Sequence, residues 1–263
     1  MIPYLDIATF TLGGVRFYTF GLLVAIGAIV GHAVAGRRHQ QLKLGPAQQF
    51  DIFVLWLYGT GFFFSHVFDV LMYRPAVVLR DPIELVMVHH GLSSFGGVAG
   101  ACIGGLGYIW LKKLPTWPWV DLCTYAFPFA WLFGRAGCAV AHDHKGRLTD
   151  SWLAVRFPDG PRFDLGLIEF ALTPLLIALV VLVARRDRRP GMISGVFAVA
   201  YALMRFPLDF LRATDLGVES DARYFGLTPG QYASVFTLGL GAWMILAALG
   251  REPFPPAEAP AAA

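Results

Sequence analysis

The sequence predicts an all-α, polytopic membrane protein with about seven transmembrane helices, its amino terminus outside and its carboxy terminus in the cytoplasm. Three observations carry that expectation. The chain of 263 residues is 56% hydrophobic and 15% charged, whereas soluble domains run near ~25% charged. Its apolar residues fall in long blocks, each close to the ~20 that cross a bilayer. Between the blocks, compact basic clusters alternate with loops whose bases are balanced by acids, and a cytoplasmic side is marked by the former. The same composition excludes disorder, collagen-like repeats and a disulfide scaffold. A dispersed net charge of +3 leaves no footprint for nucleic acid.

The expected spans cover residues 15–36, 50–72, 92–111, 117–140, 165–184, 192–211 and 229–249. Residues 1–12 lack a basic region and carry Asp6, so no cleavable signal peptide is expected. Arg37, Arg38 and Lys43, then Lys112 and Lys113, then Arg185, Arg186, Arg188 and Arg189, and finally Arg251 mark the cytoplasmic side. Residues 1–251 read as one transmembrane domain and 252–263 as a disordered Pro/Ala-rich tail. Cys102, Cys123 and Cys138 lie inside apolar blocks without zinc or redox spacing, and read as small buried hydrophobes.

An ionisable side chain at mid-bilayer costs about 2.5–3.5 kcal/mol on insertion scales, so each one needs a reason. Arg135 lies near the end of the fourth span, Arg205 and Asp209 in the sixth, Glu169 at the start of the fifth, and His66 and Asp69 at the end of the second. At 1.5 Å per residue, Arg135 sits about 27 Å along its span and Arg205 and Asp209 about 20 and 25 Å along theirs. Glu169, Ser93, Ser94 and Tyr18 begin spans that descend from the outer face. The set is expected to converge on the outer half of the membrane, as a site for a phosphate-bearing lipid head group. Simpler readings stand beside this one. Arg205 and Asp209 are i, i+4 neighbours that can neutralise each other. Arg135 can snorkel to water, although Gly134 and Gly137 flank it and let another backbone or a ligand approach. Tyr18 and Trp152 are also ordinary interfacial aromatics.

Two further segments carry polar groups. Gly96, Gly97 and Gly100 form a small-residue seam at the start of the third span, for which helix packing is the plain explanation. Free N–H groups and the Ser93 and Ser94 hydroxyls there can instead hold an anion. His89 and His90 precede this helix start without metal-ligand spacing. In the loop after Arg135, His142, Asp143 and His144 can bind a metal or do acid–base work; an exposed polar turn is the preferred reading for His144 and Lys145. Asp143 is near enough to Arg135 in sequence to face the same pocket.

At these residues the chain resembles the prolipoprotein diacylglyceryl transferases. Four blocks match in order: His90-Gly-Leu-Ser-Ser-Phe-Gly-Gly97; Gly134-Arg-Ala-Gly-Cys138 with Gly146-Arg147; Arg162 with Leu167-Ile-Glu169; and Arg205-Phe with Asp209-Phe-Leu-Arg212. Leu227-Thr-Pro-Gly-Gln231 resembles the start of the family's last span. The resemblance implies a bacterial inner-membrane enzyme, residues 1–251 being its catalytic domain. That enzyme moves diacylglyceryl from phosphatidylglycerol to the lipobox cysteine of a preprolipoprotein signal peptide, with glycerol phosphate as leaving group. It implies that Arg135 holds the lipid phosphate, that Gly134 and Gly137 permit its approach, that Arg205 is a second cation and that Glu169 keeps the fifth helix in register. Asp209 stands where the family usually has Glu. Phe95 stands in the place of a central His often considered catalytic, Cys138 in that of an Asn, and His142 and Asp143 in that of a Gly-Glu pair.

The chemistry asks for charge stabilisation on a leaving phosphate and a route for a thiol proton. Arg135 and Arg205 supply the first; Asp143, His90 and Ser94 are the candidates for the second. Arg135, Gly134, Gly137, Ser94, Gly96, Gly97, Tyr18, Glu169 and Asp209 make up the expected substrate site. No metal or organic cofactor and no nucleic acid is expected; the bilayer, phosphatidylglycerol and the preprolipoprotein are the partners. The alternatives are a catalytically silent relative that binds lipid or protein, which Phe95 motivates, and a small transporter, suggested by intramembrane charges and glycine seams.

Overall fold

Helix is the dominant structure in the computed structural model, which describes residues 1–5, 7–87, 91–187, 189–217 and 222–253. Five helices among the described residues are long and apolar enough to cross a membrane. They are α1 (Thr19–Gln41), α2 (Ala47–Tyr73), α6 (Leu165–Arg186), α7 (Met192–Leu208, prolonged by a 3-10 turn Asp209–Leu211) and α8 (Pro229–Leu249). Between α2 and α6 lie α3 (Pro75–Arg80), the shorter apolar helix α4 (Ser94–Leu111) and α5 (Thr116–Ala141), which runs 26 residues through Pro128. Residues 254–263 of the expected tail lie outside the described residues.

Strands amend the all-α expectation. Residues 15–18, expected to open the first span, form β2 (Val15–Tyr18), which pairs with β1 (Thr9–Leu12). Val15 to Tyr18 is apolar enough to merge with the helix that follows, but Gly13 and Gly14 both adopt positive φ, 58° and 80°, the backbone that a two-residue hairpin loop demands. A second sheet, of order β3-β5-β4, uses β3 (Lys145–Leu148), β4 (Val155–Phe157) and β5 (Gly160–Asp164). It takes up part of the loop that read as an exposed turn.

The chain divides into two compact units, Gly36–Trp119 and the rest. In the first, α2 and α4 pack along the glycine seam. A Cβ added at Gly96 would lie 2.5 Å from the Phe64 carbonyl oxygen and the Phe68 Cβ, and one at Gly100 would lie 2.5 Å from Phe64 and the Thr60 carbonyl. The seam is therefore a packing surface, as helix-packing physics allows. Ser93 caps α4, accepting the Gly96 N–H at 3.5 Å, while the Ser65 hydroxyl donates to the Ser93 carbonyl at 2.7 Å. The ring nitrogens of buried His66 face the carbonyls of Gly91 (3.1 Å) and Glu84 (2.7 Å), fastening the preceding loop.

In the second unit, α7 packs against α6 and α8. Asp121 on α5 accepts the N–H groups of Gly191 and Ser194 and the Ser194 hydroxyl, so a buried carboxylate closes the open amino end of α7. Strand β5 runs into Asp164, which N-caps α6 by accepting the Leu167 N–H at 3.0 Å. Of the cysteines, Cys138 is buried as expected, Cys123 is partly buried and Cys102 is exposed. A thiol behaves as a small hydrophobe, so an outward position on an apolar helix suits Cys102.

Candidate active site

Helical spacing brings four of the expected residues together. Asp164 fixes the first turn of α6, and five residues on Glu169 points inward, fully buried. Its Oε2 lies 2.9 Å from Arg135 Nε on α5, and its Oε1 bonds Arg205 on α7. Arg205 also reaches Asp209 Oδ1 at 2.8 Å, the i, i+4 pair expected on that helix. Asp209 in turn accepts Arg212 Nε at 2.8 Å and the Thr228 hydroxyl at 2.5 Å. Arg135 is 7% exposed and Asp209 1%. Burial of this kind is tolerated because every charge faces an opposite one. Among these five ionised groups, the arginines Arg135, Arg205 and Arg212 exceed the carboxylates Glu169 and Asp209 by one positive charge.

Side chains that sequence reasoning passed over complete the arrangement. The Arg135 guanidinium lies 4.2 Å from the centre of the Trp131 ring, four residues earlier on α5. Tyr201, four residues before Arg205, lies near enough to Arg135 and Arg205 to feel both charges. Thr228 both N-caps α8, in a capping box with Gln231, and holds Asp209. The i−4 spacing of Trp131 from Arg135 is a signal present in the sequence; the approach of Tyr201 to Arg135, from another helix, is not.

The small residues around Arg135 differ in kind. A Cβ at Gly134 would meet nothing within 4 Å, whereas one at Gly137 would lie 2.7 Å from Phe20 Cδ2. Gly134 thus borders open space, and Gly137 is a close-packing position against α1. Beyond α5, His142 adopts φ 51°. Its Nδ1 faces Asp164 Oδ2 at 2.6 Å, its Nε2 faces the Leu5 carbonyl at 3.2 Å, and its ring stacks on Tyr4. Burial pushes the Asp164 carboxyl up from the usual range. His142 is therefore a tether for the amino-terminal segment, which corrects its expected availability for acid–base work. Asp143 is exposed, 3.3 Å from His144 Nδ1.

Arg162 braces this region from the sheet. It is nearly buried, forks onto Asp215 at 2.9 and 2.6 Å, and donates to the Gly146 carbonyl. The Asp215 hydrogen bonds raise the Arg162 guanidinium, and Arg162 holds the Asp215 carboxyl below the usual range. Gly146 bridges Arg212, so the sheet fixes the arginine that contacts Asp209.

The remaining expected residues do not join the ion network. Tyr18 ends β2 opposite Thr9 and is 65% exposed. Gly96 and Gly97 lie on α4 in the other unit. The Gly96 N–H is taken by its cap and its α-carbon by packing, which removes it from the open helix start the sequence suggested. A Cβ added at Gly97 would lie 3.7 Å from Ser65, an ordinary contact distance. Phe95 is 63% exposed. His90 lies outside the described residues, as does the side chain of Ser94.

Chemically, the cluster offers guanidinium forks, matched in shape to phosphate oxygens, in a network of three arginines and two carboxylates. A family profile described as prolipoprotein diacylglyceryl transferase matches residues 7–247. Three similar proteins carry the name phosphatidylglycerol–prolipoprotein diacylglyceryl transferase. That of Agrobacterium fabrum is 28% identical over 94% of this chain and 93% of its own. That of Sinorhizobium medicae is 30% identical over 92% of each chain. That of Ruegeria pomeroyi is 35% identical over 89% of this chain and 90% of its own.

Proposed function

The chain belongs to the prolipoprotein diacylglyceryl transferase family, and from that premise we propose that it transfers diacylglyceryl from phosphatidylglycerol to the lipobox cysteine of preprolipoproteins, the first step of lipoprotein maturation. The cysteine sulfur attacks the glyceryl carbon, an S–C bond forms, and the C–O bond to phosphate breaks. Its electron pair leaves on glycerol phosphate, and the thiol proton passes to a base. Such a displacement is limited by charge building on the leaving phosphate, where positioned cations are worth most.

One observation carries the reading beyond the family match. Arg135 and Arg205, on separate helices, are gripped by a single buried carboxylate, Glu169. In this proposal Arg135 binds the lipid phosphate, with Tyr201 and Trp131 fixing its guanidinium, and Arg205 supplies the second positive charge. Glu169 and Asp209 hold the two arginines in place. Gly134 leaves room for the lipid, and Gly137 acts through the packing of α5 on α1. Asp143 and His90 are proposed for proton handling, with Ser94, Gly97 and Tyr18 as substrate contacts.

We further propose that α4 and α5 join the five longer helices to make seven spans within one catalytic domain. The amino terminus would then be outside, the carboxy terminus cytoplasmic, and the site open to the outer leaflet of the bacterial inner membrane. The lipid substrate and the signal peptide both reside there.

Phe95 favours a second reading, a relative that binds phosphatidylglycerol without turnover. Purified protein, phosphatidylglycerol and a lipobox peptide decide between them by peptide mass. A diacylglyceryl mass gain supports the transferase. No gain, with an active relative working alongside, supports the silent binder, and equilibrium lipid binding then becomes its test.

A further inference from the structure

Three side chains with metal-ligating atoms meet at the carboxy-terminal end of α5, beside the arginine network, with Cys138 Sγ accepting from Arg135 Nη1 at 3.9 Å. Cys138 Sγ, an Asp143 carboxylate oxygen and a His144 ring nitrogen all lie within 4.8 Å of one another. The grouping follows from local structure. Helix α5 ends at Ala141, and His142, at φ 51° and tied to Asp164 and Leu5, turns the chain back. The next two side chains are thereby returned to the level of Cys138, and His144 Nδ1 stands 3.3 Å from Asp143 Oδ1.

We infer that Cys138, Asp143 and His144 form a binding site for one divalent transition-metal ion of the zinc class, with a fourth coordination position open. The donor set points to that class. One thiolate, one imidazole and one carboxylate make up a borderline-soft mixture that zinc accepts. Mg²⁺ and Ca²⁺ require oxygen ligands throughout and are excluded. Tetrahedral zinc with bonds of 2.0–2.3 Å separates its ligands by about 3.3–3.8 Å. The 4.8 Å ceiling leaves about 1–1.5 Å to close. Asp143 and His144 can close it by rotation, since their side chains are 42% and 27% exposed.

Cation binding here requires charge balance. Arg135 Nη1 lies 3.9 Å from Cys138 Sγ, so an unbalanced dication there would be repelled. Binding breaks the Cys138 S–H bond and forms the metal–sulfur bond, and the proton passes to solvent. Two positive charges are then matched by the thiolate and the Asp143 carboxylate, with His144 neutral. No oxidant or reductant takes part. The site shares Asp143 with the proposed proton handling, so with the ion bound that role falls to His90 alone; the test reads metal binding and does not rest on the transferase reading.

The test uses tag-free, full-length protein in detergent, in a Cys102→Ser, Cys123→Ser background, titrated with Co²⁺ and then Zn²⁺. One equivalent of Co²⁺ is expected to give a thiolate-to-cobalt charge-transfer band with the strong visible absorption of a tetrahedral site. Zn²⁺ should bleach both, and excess Mg²⁺ should leave them unchanged. Cys138→Ser should abolish the band, and His144→Gln and Asp143→Asn should each weaken binding at least tenfold. Thermal melts in the absence of metal report that each variant is folded. An absent band in the parent overturns the inference. So does a band whose affinity is unchanged in both His144→Gln and Asp143→Asn, which would identify a lone thiol.

Discussion

Replacing Glu169 by Gln removes one charge and leaves two arginines facing each other. Glu169 is fully buried, 2.9 Å from Arg135 and bonded to Arg205, whose side chains are 9% and 11% exposed. Arg205 keeps Asp209 at 2.8 Å, so its loss is partly covered. Arg135 keeps Trp131 and Tyr201, and an aromatic face compensates a cation by only about 0.5–2 kcal/mol. Breaking a buried ion pair from one side costs about 3–5 kcal/mol. The second pair adds to this and the remaining Gln oxygen, as an acceptor, subtracts about 1 kcal/mol, so the expected loss stays at about 3–5 kcal/mol. At about 2–4 °C per kcal/mol for a chain of this size, the melting temperature falls on the order of 10 °C. Intrinsic tryptophan fluorescence in detergent reads the transition, the chain having seven tryptophans. A cycle with Arg135→Gln adds a sharper criterion. That change should cost at least ~1 kcal/mol less in the Glu169→Gln background, because contacting residues couple. A Glu169→Gln protein within ~0.5 kcal/mol of the parent, or strictly additive losses, would refute the shared-carboxylate account.

Four other substitutions have expected outcomes. Gly137→Ala should lose about 1–3 kcal/mol in the same melt, because its Cβ meets Phe20 in a packed contact. Gly134→Ala, which meets nothing within 4 Å, should hold or gain stability by up to about 1 kcal/mol from helix propensity; equal losses at the two sites would contradict the distinction. Thr228→Val removes both an N-cap and the donor to Asp209. It should cost about 2–4 kcal/mol in thermal unfolding, and a neutral effect would mean Asp209 is held without it. For Asp215, Arg162 holds the carboxyl below its ordinary value, so the folded form is favoured above the unfolded pKa and that advantage is lost as pH falls through the folded one. Asp215→Asn should therefore be less stable than the parent at neutral pH, the gap closing as pH drops below the ordinary aspartate value of about 4. A gap that widens on acidification would reverse the sign of the argument.

Long apolar runs made the helices legible, since nothing but a helix satisfies the backbone in lipid at that length. The convergence of Arg135, Glu169, Arg205 and Asp209 was legible too, because rise per residue places side chains at a common depth. What sequence could not distinguish was a strand from a helix start in Val15-Arg-Phe-Tyr18. The deciding feature is the Gly13-Gly14 backbone, and an apolar stretch joined to a span hides it. The two glycines around Arg135 looked alike in sequence and differ in space, because only one faces α1. His142 read as a candidate for metal binding or acid–base work, and its role as a tether depends on Asp164 and Leu5, which are distant in the chain. Thr228 reads as a helix cap from its spacing to Gln231, but its bond to Asp209 depends on how α7 meets α8. Asp143 and His144 read as able to bind a metal, but nothing in the sequence joined Cys138 to them, since the meeting depends on the positive φ at His142.

The central claim is that Arg135 stabilises the departing phosphate. Its most direct test is the rate of diacylglyceryl transfer to a lipobox peptide in phosphatidylglycerol proteoliposomes, for wild type and Arg135→Ala, normalised to the folded fraction. Loss of a preorganised donor to a developing anion lowers rates by about 100–1000-fold, and a fall of that order is expected. Transfer by Arg135→Ala at the wild-type rate would contradict the account.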